Sequence, residues 1–413
     1  MKNLDIVITG AGVISAIGIG KAETLESLVA GRTGIREMKY LQSCHHELPV
    51  GEVQLSNDEM MQRLLPSRTG EGGDRCTRTA LLGRLALREA LDEASLSGDM
   101  LRHVHVISAT TVGGMDRREQ FLSYEKNSGE TTNTPFDETT KAFIATHNCA
   151  DSTEMIACPF GRFASLATVS TACSSATNAI ITGANMLRCG MADIVVVGGA
   201  ESLTKFHLNG FNSLMILDQE QCKPFDRDRA GLNLGEGAAY LVMETAHSAQ
   251  KRGVKSLCVL SGYGNACDAF HQTASSPEGE GAVRAMQQAL HMAGLTPADI
   301  HYINAHGTGT PNNDESESRA IRRVFGDNTP PVSSTKSFTG HTTSASGSIE
   351  AVICILALQH QFLPVNLNWH NPIPDGIIPI THHPTPSPHI THILSNAFGF
   401  GGNDSSIVLS RIE

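Results

Sequence analysis

Short aliphatic runs and longer stretches of helical period alternate along this chain. The runs read as buried strands and fall at about 5–9, 104–109, 193–198, 238–243, 257–262, 301–304 and 393–396. Apolar residues recur at helical spacing over about 21–31, 77–95, 174–189, 281–294, 314–325 and 345–359. Strands that alternate with helices predict an α/β fold. The 174–189 stretch is small and apolar on nearly every side, which predicts a buried helix.

A faint internal echo runs through the pattern. Ile8-Thr9-Gly10-Ala11-Gly12 resembles Leu260-Ser261-Gly262-Tyr263-Gly264, and two further pairs of strand ends follow in the same order. These are Ser108–Thr111 with Asn304–Thr308, and Gly198–Glu201 with Ser395–Phe398. The expectation is two similar α/β halves, 1–250 and 251–413, whose strand ends deliver loops to one shared site. Strand followed by Gly10-Ala11-Gly12 suggests a dinucleotide turn, but Ser15 stands where the third glycine belongs, so a tight strand-exit turn is the expected reading. Asn127–Lys141 reads as a surface loop and Pro372–Pro388 as an extended connection. His382, His383, His389 and His392 cluster near the end without a Cys or carboxylate to complete a ligand set, and no metal is expected.

Composition narrows the function. The 413 residues carry a formal charge of −11, which argues against nucleic acid and against an anionic membrane surface. Ten cysteines without a C-x-x-C pair, in a long chain, point to free thiols in a reducing cytosol. Neither a leader pattern nor an apolar run near the roughly 18 residues of a membrane span is evident, so a cytoplasmic protein is expected.

Four segments carry chemistry. In Ser170-Thr171-Ala172-Cys173-Ser174-Ser175-Ala176, Cys173 stands where a loop turns into a helix. Unpaired N–H groups and the dipole at a helix start favour a thiolate, the nucleophilic form. A buried structural cysteine is the other reading. Asn304-Ala305-His306-Gly307-Thr308-Gly309-Thr310 places His306 at a strand end, between glycines that let a ligand approach and the hydroxyls of Thr308 and Thr310. Ser333–His341 brings Lys336 and His341 into one loop of small residues, just before an apolar helix that holds Glu350. In Asn396-Ala397-Phe398-Gly399-Phe400-Gly401-Gly402-Asn403 the glycines permit a turn whose N–H groups can stabilise an oxyanion.

Together the motifs T-A-C-S-S-A, G-G-A-E, N-A-H-G-T-G-T-P, S-S-T-K-S-x-T-G-H and F-G-F-G-G resemble the β-ketoacyl-carrier-protein synthases over almost the whole chain, in particular the elongating type II fatty-acid and polyketide condensing enzymes. The resemblance implies a thiolase-like duplicated αβαβα five-layer fold. It also implies a decarboxylative condensation in which Cys173 holds the growing acyl chain while His306 and His341 bind a malonyl thioester. By the same resemblance the N–H groups of Cys173 and Phe400 form the oxyanion hole, and Phe400 gates the acyl pocket. Lys336 orients the His341 loop with Glu350 as its acidic partner, and Thr308 and Thr310 contact the pantetheine arm. Val112, Phe211 and Phe398 fall at substrate-pocket positions, and Arg75 and Arg78 at positions for docking an acyl carrier protein. No cofactor is implied beyond the phosphopantetheine of that carrier, and a homodimer is the default, with a heterodimer as the alternative.

The chain departs from the family pattern in places. The region 116–165 matches poorly, Thr342, Thr343 and Ser344 replace aliphatic and small residues after His341, and Asn403-Asp404 replaces the usual G-G-x-N order. The competing readings are a catalytically silent, chain-length-determining partner subunit, and a Cys–His hydrolase. The first sits badly with Cys173; the second leaves Lys336 and His341 without a purpose.

Overall fold

The computed structural model describes residues 5–64, 76–120, 146–383 and 389–412. In chain order the elements are β1 (Ile6–Ser15), β2 (Gly18–Ile19), α1 (Lys21–Val29), α2 (Asn57–Leu64), α3 (Arg78–Glu93), β3 (Val104–Ala109), α4 (Cys149–Ala157), β4 (Ser165–Val169), α5 (Ser175–Arg188), β5 (Ile194–Glu201) and α6 (Lys205–Ser213). There follow β6 (Gly237–Thr245), α7 (Ala246–Arg252), β7 (Cys258–Cys267), α8 (Glu280–Ala293), β8 (Tyr302–Asn304), α9 (Pro311–Phe325), β9 (Val332–Ser333), α10 (Lys336–Thr339), α11 (Ser346–His360), β10 (His392–Gly399) and β11 (Asn403–Ser410). The six helices and seven strands expected from periodicity are all present, most with ends shifted by a few residues.

Ten strands lie in the order β4-β3-β5-β6-β1-β7-β11-β10-β8-β9. Read outward from the β1–β7 seam, the two directions match strand for strand. Each starts with two antiparallel pairings and ends with two parallel ones. The match extends to a bulge. The ladder of β1 with β6 skips a residue between Ile8 and Gly10, and that of β7 with β11 skips one between Leu260 and Gly262.

The glycines of the repeated motif explain this likeness. Gly10 and Gly12 lie inside β1, which runs on to Ser15, so the expected strand-exit turn is not there. A Cβ on Gly10 would stand 2.2 Å from the Ala90 carbonyl oxygen, and one on Gly12 2.1 Å from that of Ala86. Gly262 and Gly264 meet Ala289 and Ala285 of α8 in the same way, each at 2.2 Å. Both glycine pairs therefore let a helix lie against a strand closer than any side chain permits.

Packing forms layers. α3 covers one end of the sheet and α8 the other, each over its own apolar cluster. Between them α5 and α11 join the central cluster. α11 is buried from Ser346 through Leu358. α5 is not buried all round as its composition suggests, because Thr182, Asn185 and Arg188 form an exposed stripe. β4, β9 and β11 carry little strand signal in sequence. β11 opens with Asn403, Asp404, Ser405 and Ser406, whose polarity masks a strand buried almost end to end. The Asn127–Lys141 run lies outside the described residues.

Candidate active site

The four chemistry-bearing segments meet where strands β4, β8 and β10 end. Cys173 follows β4 and is 5% exposed. It is preceded by Ala172 at φ 51, a left-handed conformation that a non-glycine residue adopts at some cost in strain. Hydrogen bonds from Ser175 to the Ala172 carbonyl and from the Thr171 N–H to Ser175 Oγ hold this turn. His341 follows Gly340, itself at φ 70, and its Nε2 lies 3.0 Å from Cys173 Sγ. Its Nδ1 lies 3.1 Å from Ser346 Oγ. His306 packs edge-on against His341, with ring centroids 5.3 Å apart, and against Phe398 at 5.8 Å. The ligand-capable atoms of Cys173, His306 and His341 fall within 4.8 Å of one another.

Burial dominates the electrostatics. It pushes the Cys173 thiol up to about 12, while the Lys336 ammonium and the Phe400 N–H, which donates to the sulfur, pull the other way. Burial thus opposes the easier ionisation expected of a thiol at a helix start, and the thiol stays above its ordinary value. Burial also holds both imidazoles well below their ordinary value, with Lys336 adding to it in each case. The resting site is a neutral thiol beside two neutral imidazoles.

Lys336 and Glu350 form a buried ion pair, Nζ to Oε1 2.5 Å, with both residues at most 3% exposed. Burial pushes the Glu350 carboxyl upward and Lys336 opposes it. Phe400 stacks on Phe211 with centroids 5.8 Å apart and planes 19° from parallel. A cavity of about 360 Å³ opens onto this centre and is lined by Cys173, both histidines, Phe211, Phe398 and Phe400, and by Thr308 and Thr310, whose hydroxyls hydrogen-bond each other at 2.9 Å.

Two expected positions fall elsewhere. Val112 is buried but does not line this cavity. Arg78 is no docking residue: it is 8% exposed, and its guanidinium is taken up by Glu236 and the carbonyls of Val53 and Leu55. Arg75 lies outside the described residues.

The structure adds carboxylates that the sequence reading passed over. Glu317 of α9 accepts the N–H groups of His306 and Gly307 at 2.8 and 2.7 Å, and burial raises it to about 7. Glu201, at the end of β5, accepts hydrogen bonds from the Thr110, Thr111 and Ser344 hydroxyls. The last of these gives Ser344 a purpose, since an aliphatic residue there could not donate to Glu201. For Glu201 the legible signal was an acidic residue in otherwise apolar surroundings, Gly198-Gly199-Ala200-Glu201; Glu317, inside the polar run Asn312–Arg319, carried no such signal.

The description "Beta-ketoacyl synthase, N-terminal domain" matches residues 3–249, and "Beta-ketoacyl synthase, C-terminal domain" matches 257–370. The chain belongs to the β-ketoacyl synthase family. This β-ketoacyl synthase is 32% identical to the 3-oxoacyl-[acyl-carrier-protein] synthase 2 of Staphylococcus aureus, over 100% of this chain and 99% of the other. It is also 32% identical to the Synechocystis protein of the same name, over the whole of both chains. Its fold superposes on the ishigamide ketosynthase/chain length factor with a TM-score of 0.90 at 30% identity, covering 99% of each chain. A chain of the complex between a ketosynthase and its chain length factor from Xenorhabdus doucetiae matches with a TM-score of 0.81 at 30% identity over 99% and 98%. The fold is thiolase-like, as its strand order suggests, and the synthase is an acyltransferase. No helix among the described residues is long and apolar enough to cross a membrane.

Proposed function

We propose that this synthase extends an acyl chain held on Cys173 by two carbons taken from a malonyl group, both substrates arriving on an acyl carrier protein. The observation that carries the reading is the Cys173 thiol 3.0 Å from a neutral His341, with His306 against the same ring and the Phe400 N–H on the sulfur. A neutral thiol needs a base only at the moment of attack. His341 Nε2 takes the proton as Sγ adds to the thioester carbonyl, and the N–H groups of Cys173 and Phe400 receive the oxyanion. The proton then leaves with the carrier thiol. Malonyl binding asks the opposite of His341, a donor at Nε2. Ser346 Oγ can accept from Nδ1 or donate to it, so either tautomer is held. With His306 it hydrogen-bonds the malonyl thioester oxygen. Carbon dioxide departs, the enolate is stabilised, and its carbon attacks the acyl carbonyl; the bond from that carbon to Sγ then breaks, and the departing Cys173 thiolate takes up a proton from solvent. That chemistry requires donors rather than a strong base, and two neutral imidazoles suit it.

Thr308 and Thr310 on the cavity wall guide the pantetheine arm, Phe211 and Phe398 border the acyl chain, and Lys336 with Glu350 braces the His341 loop. The halves 1–250 and 251–413 supply the nucleophile and the His/His/Lys set respectively. The working form is a twofold dimer in the cytoplasm, of two copies or with a chain-length-determining partner. A silent-partner role for this chain is disfavoured by its retained nucleophile.

The test is mass spectrometry of products formed from malonyl-carrier protein and a panel of acyl-carrier primers, with Cys173→Ala in parallel. Ketone-bearing products two carbons longer that vanish in the variant are expected. Elongation that survives the variant, or acid release without elongation, overturns the reading.

A further inference from the structure

The turn that bears Phe400 is short, and its shape rests on glycine. β10 ends at Gly399 and β11 begins at Asn403, and Gly401 and Gly402 between them have φ of 82 and 78. Gly399 sits directly on the nucleophile loop. A Cβ there would lie 3.0 Å from the Thr171 carbonyl oxygen and 3.2 Å from Ser174 Oγ. The far side of the turn is held by the loop that follows β7, through the Gly401 N–H on the Gln272 carbonyl and the Asp268 N–H on the Gly402 carbonyl, both at 2.7 Å.

At the root of the turn stands a polar knot. Asn403 Oδ1 accepts from three side chains, one each on the nucleophile loop, α5 and β7. Ser174 Oγ donates at 2.7 Å, Asn178 Nδ2 at 2.6 Å, and Asn265 Nδ2, from β7, at 3.1 Å. Ser174 is the residue after the nucleophile, and its Oγ also lies 2.8 Å from the Thr171 carbonyl before it. Asn178, one helical turn along α5, reaches back to Thr171 Oγ1 at 2.9 Å. One carbonyl oxygen therefore ties the loop that presents the sulfur to the strand that presents the Phe400 N–H. This is also where the chain leaves the usual G-G-x-N order.

We propose that Asn403 is a positioning residue for acyl transfer. Its side-chain oxygen fixes the separation of the two oxyanion donors, the N–H of Cys173 and the N–H of Phe400, by joining their supporting segments. This rests on the condensing-enzyme reading above. Oxyanion stabilisation depends on donors standing where charge will develop, and a displacement of an ångström costs much of it. The two half-reactions draw on different groups. Acyl transfer to Cys173 uses both donors, whereas malonyl decarboxylation uses His306 and His341, which the knot does not touch. Loss of the Asn403 oxygen therefore separates the half-reactions, and a general loosening of the fold does not.

The experiment compares the intact synthase with Asn403→Leu, which has similar volume but no acceptor, and Asn403→Asp, which keeps one. Two rates are read: single-turnover transfer of a saturated acyl group from acyl-carrier protein to Cys173, and carbon dioxide release from saturating malonyl-carrier protein. Asn403→Leu is expected to slow acyl transfer roughly 10- to 100-fold while carbon dioxide release stays within about twofold. Asn403→Asp is expected to restore transfer to within a few-fold. Parallel loss of both rates, or no change in either, overturns the proposal, as does failure of Asn403→Asp to rescue. Should Asn403→Leu not fold, Ser174→Ala removes one donor of the same knot and must show the same split in smaller measure. An unaltered protein that takes no acyl group onto Cys173 would instead overturn the condensing-enzyme reading itself.

Discussion

His341 Nε2 lies 3.0 Å from Cys173 Sγ, and the two groups are neutral together, because burial raises the thiol and lowers the imidazole. A thiolate–imidazolium pair would react with alkylating agents at a rate nearly independent of pH above about 6. In His341→Ala, where no base assists the thiol, the iodoacetamide rate at Cys173 should climb about tenfold per pH unit from about pH 7 to 9 without a plateau, since burial holds the thiol up at about 12. A plateau that begins near neutrality would refute the neutral pair.

The Lys336–Glu350 pair is buried on both sides, so removing one partner strands the other. Lys336→Ala should destabilise the protein by about 3–5 kcal/mol, the usual cost of an unpaired buried charge. Lys336→Met together with Glu350→Leu should recover much of that loss. Denaturant midpoints of the single and double variants decide the matter.

Arg78 bonds Glu236, Asn57 and two backbone carbonyls within the fold. Arg78→Ala should lower stability by about 3–5 kcal/mol and leave the KM for acyl-carrier protein unchanged below the melting range. A docking role would show the reverse, a raised KM with an unchanged melting temperature.

Glu317 and Asp404 are carboxyls raised by burial, to about 7 and about 8; Asp314 pushes Glu317 further up, and Asp268 and Glu317 do the same to Asp404. A carboxyl raised in the folded state holds its proton more tightly there than in the unfolded chain. Its stabilising contribution is complete below the unfolded value near 4 and is lost as the pH rises through 7 and 8. Asp404→Asn removes the ionisable group, so its melting temperature should gain a few degrees more at about pH 8.5 than at about pH 5. An equal gain at both would place the effect elsewhere.

Gly12 has no room for a methyl group, since a Cβ there would stand 2.1 Å from the Ala86 carbonyl oxygen. Gly12→Ala should cost about 1–3 kcal/mol by pushing α3 off β1, and Gly264→Ala the same at α8. Calorimetry of the two variants side by side tests whether the equivalent positions bear equal loads.

Much of this protein was legible in its sequence, because much of it is local. A period of two or 3.6 residues depends only on which face a side chain takes, and it located the helices and the aliphatic strands. Cys173, His306, Lys336, His341 and Phe400 stand out because each sits in a short run of glycines and hydroxyl residues whose order is itself unusual. What the sequence could not supply was what surrounds those groups. The ionisation of Cys173 turned on burial, which comes from every element packed over it, and not on the helix start beside it. Arg78 looked like a free surface cation until Glu236, 158 positions away, closed on it. Glu317 and Glu201 gained roles only when the fold set them under the His306 backbone and beside Ser344. Asn403 read as a variation in a glycine-rich turn until Ser174 and Asn265, 229 and 138 positions back, converged on its oxygen. Such long-range pairings leave no periodic trace, so only the folded chain decides them.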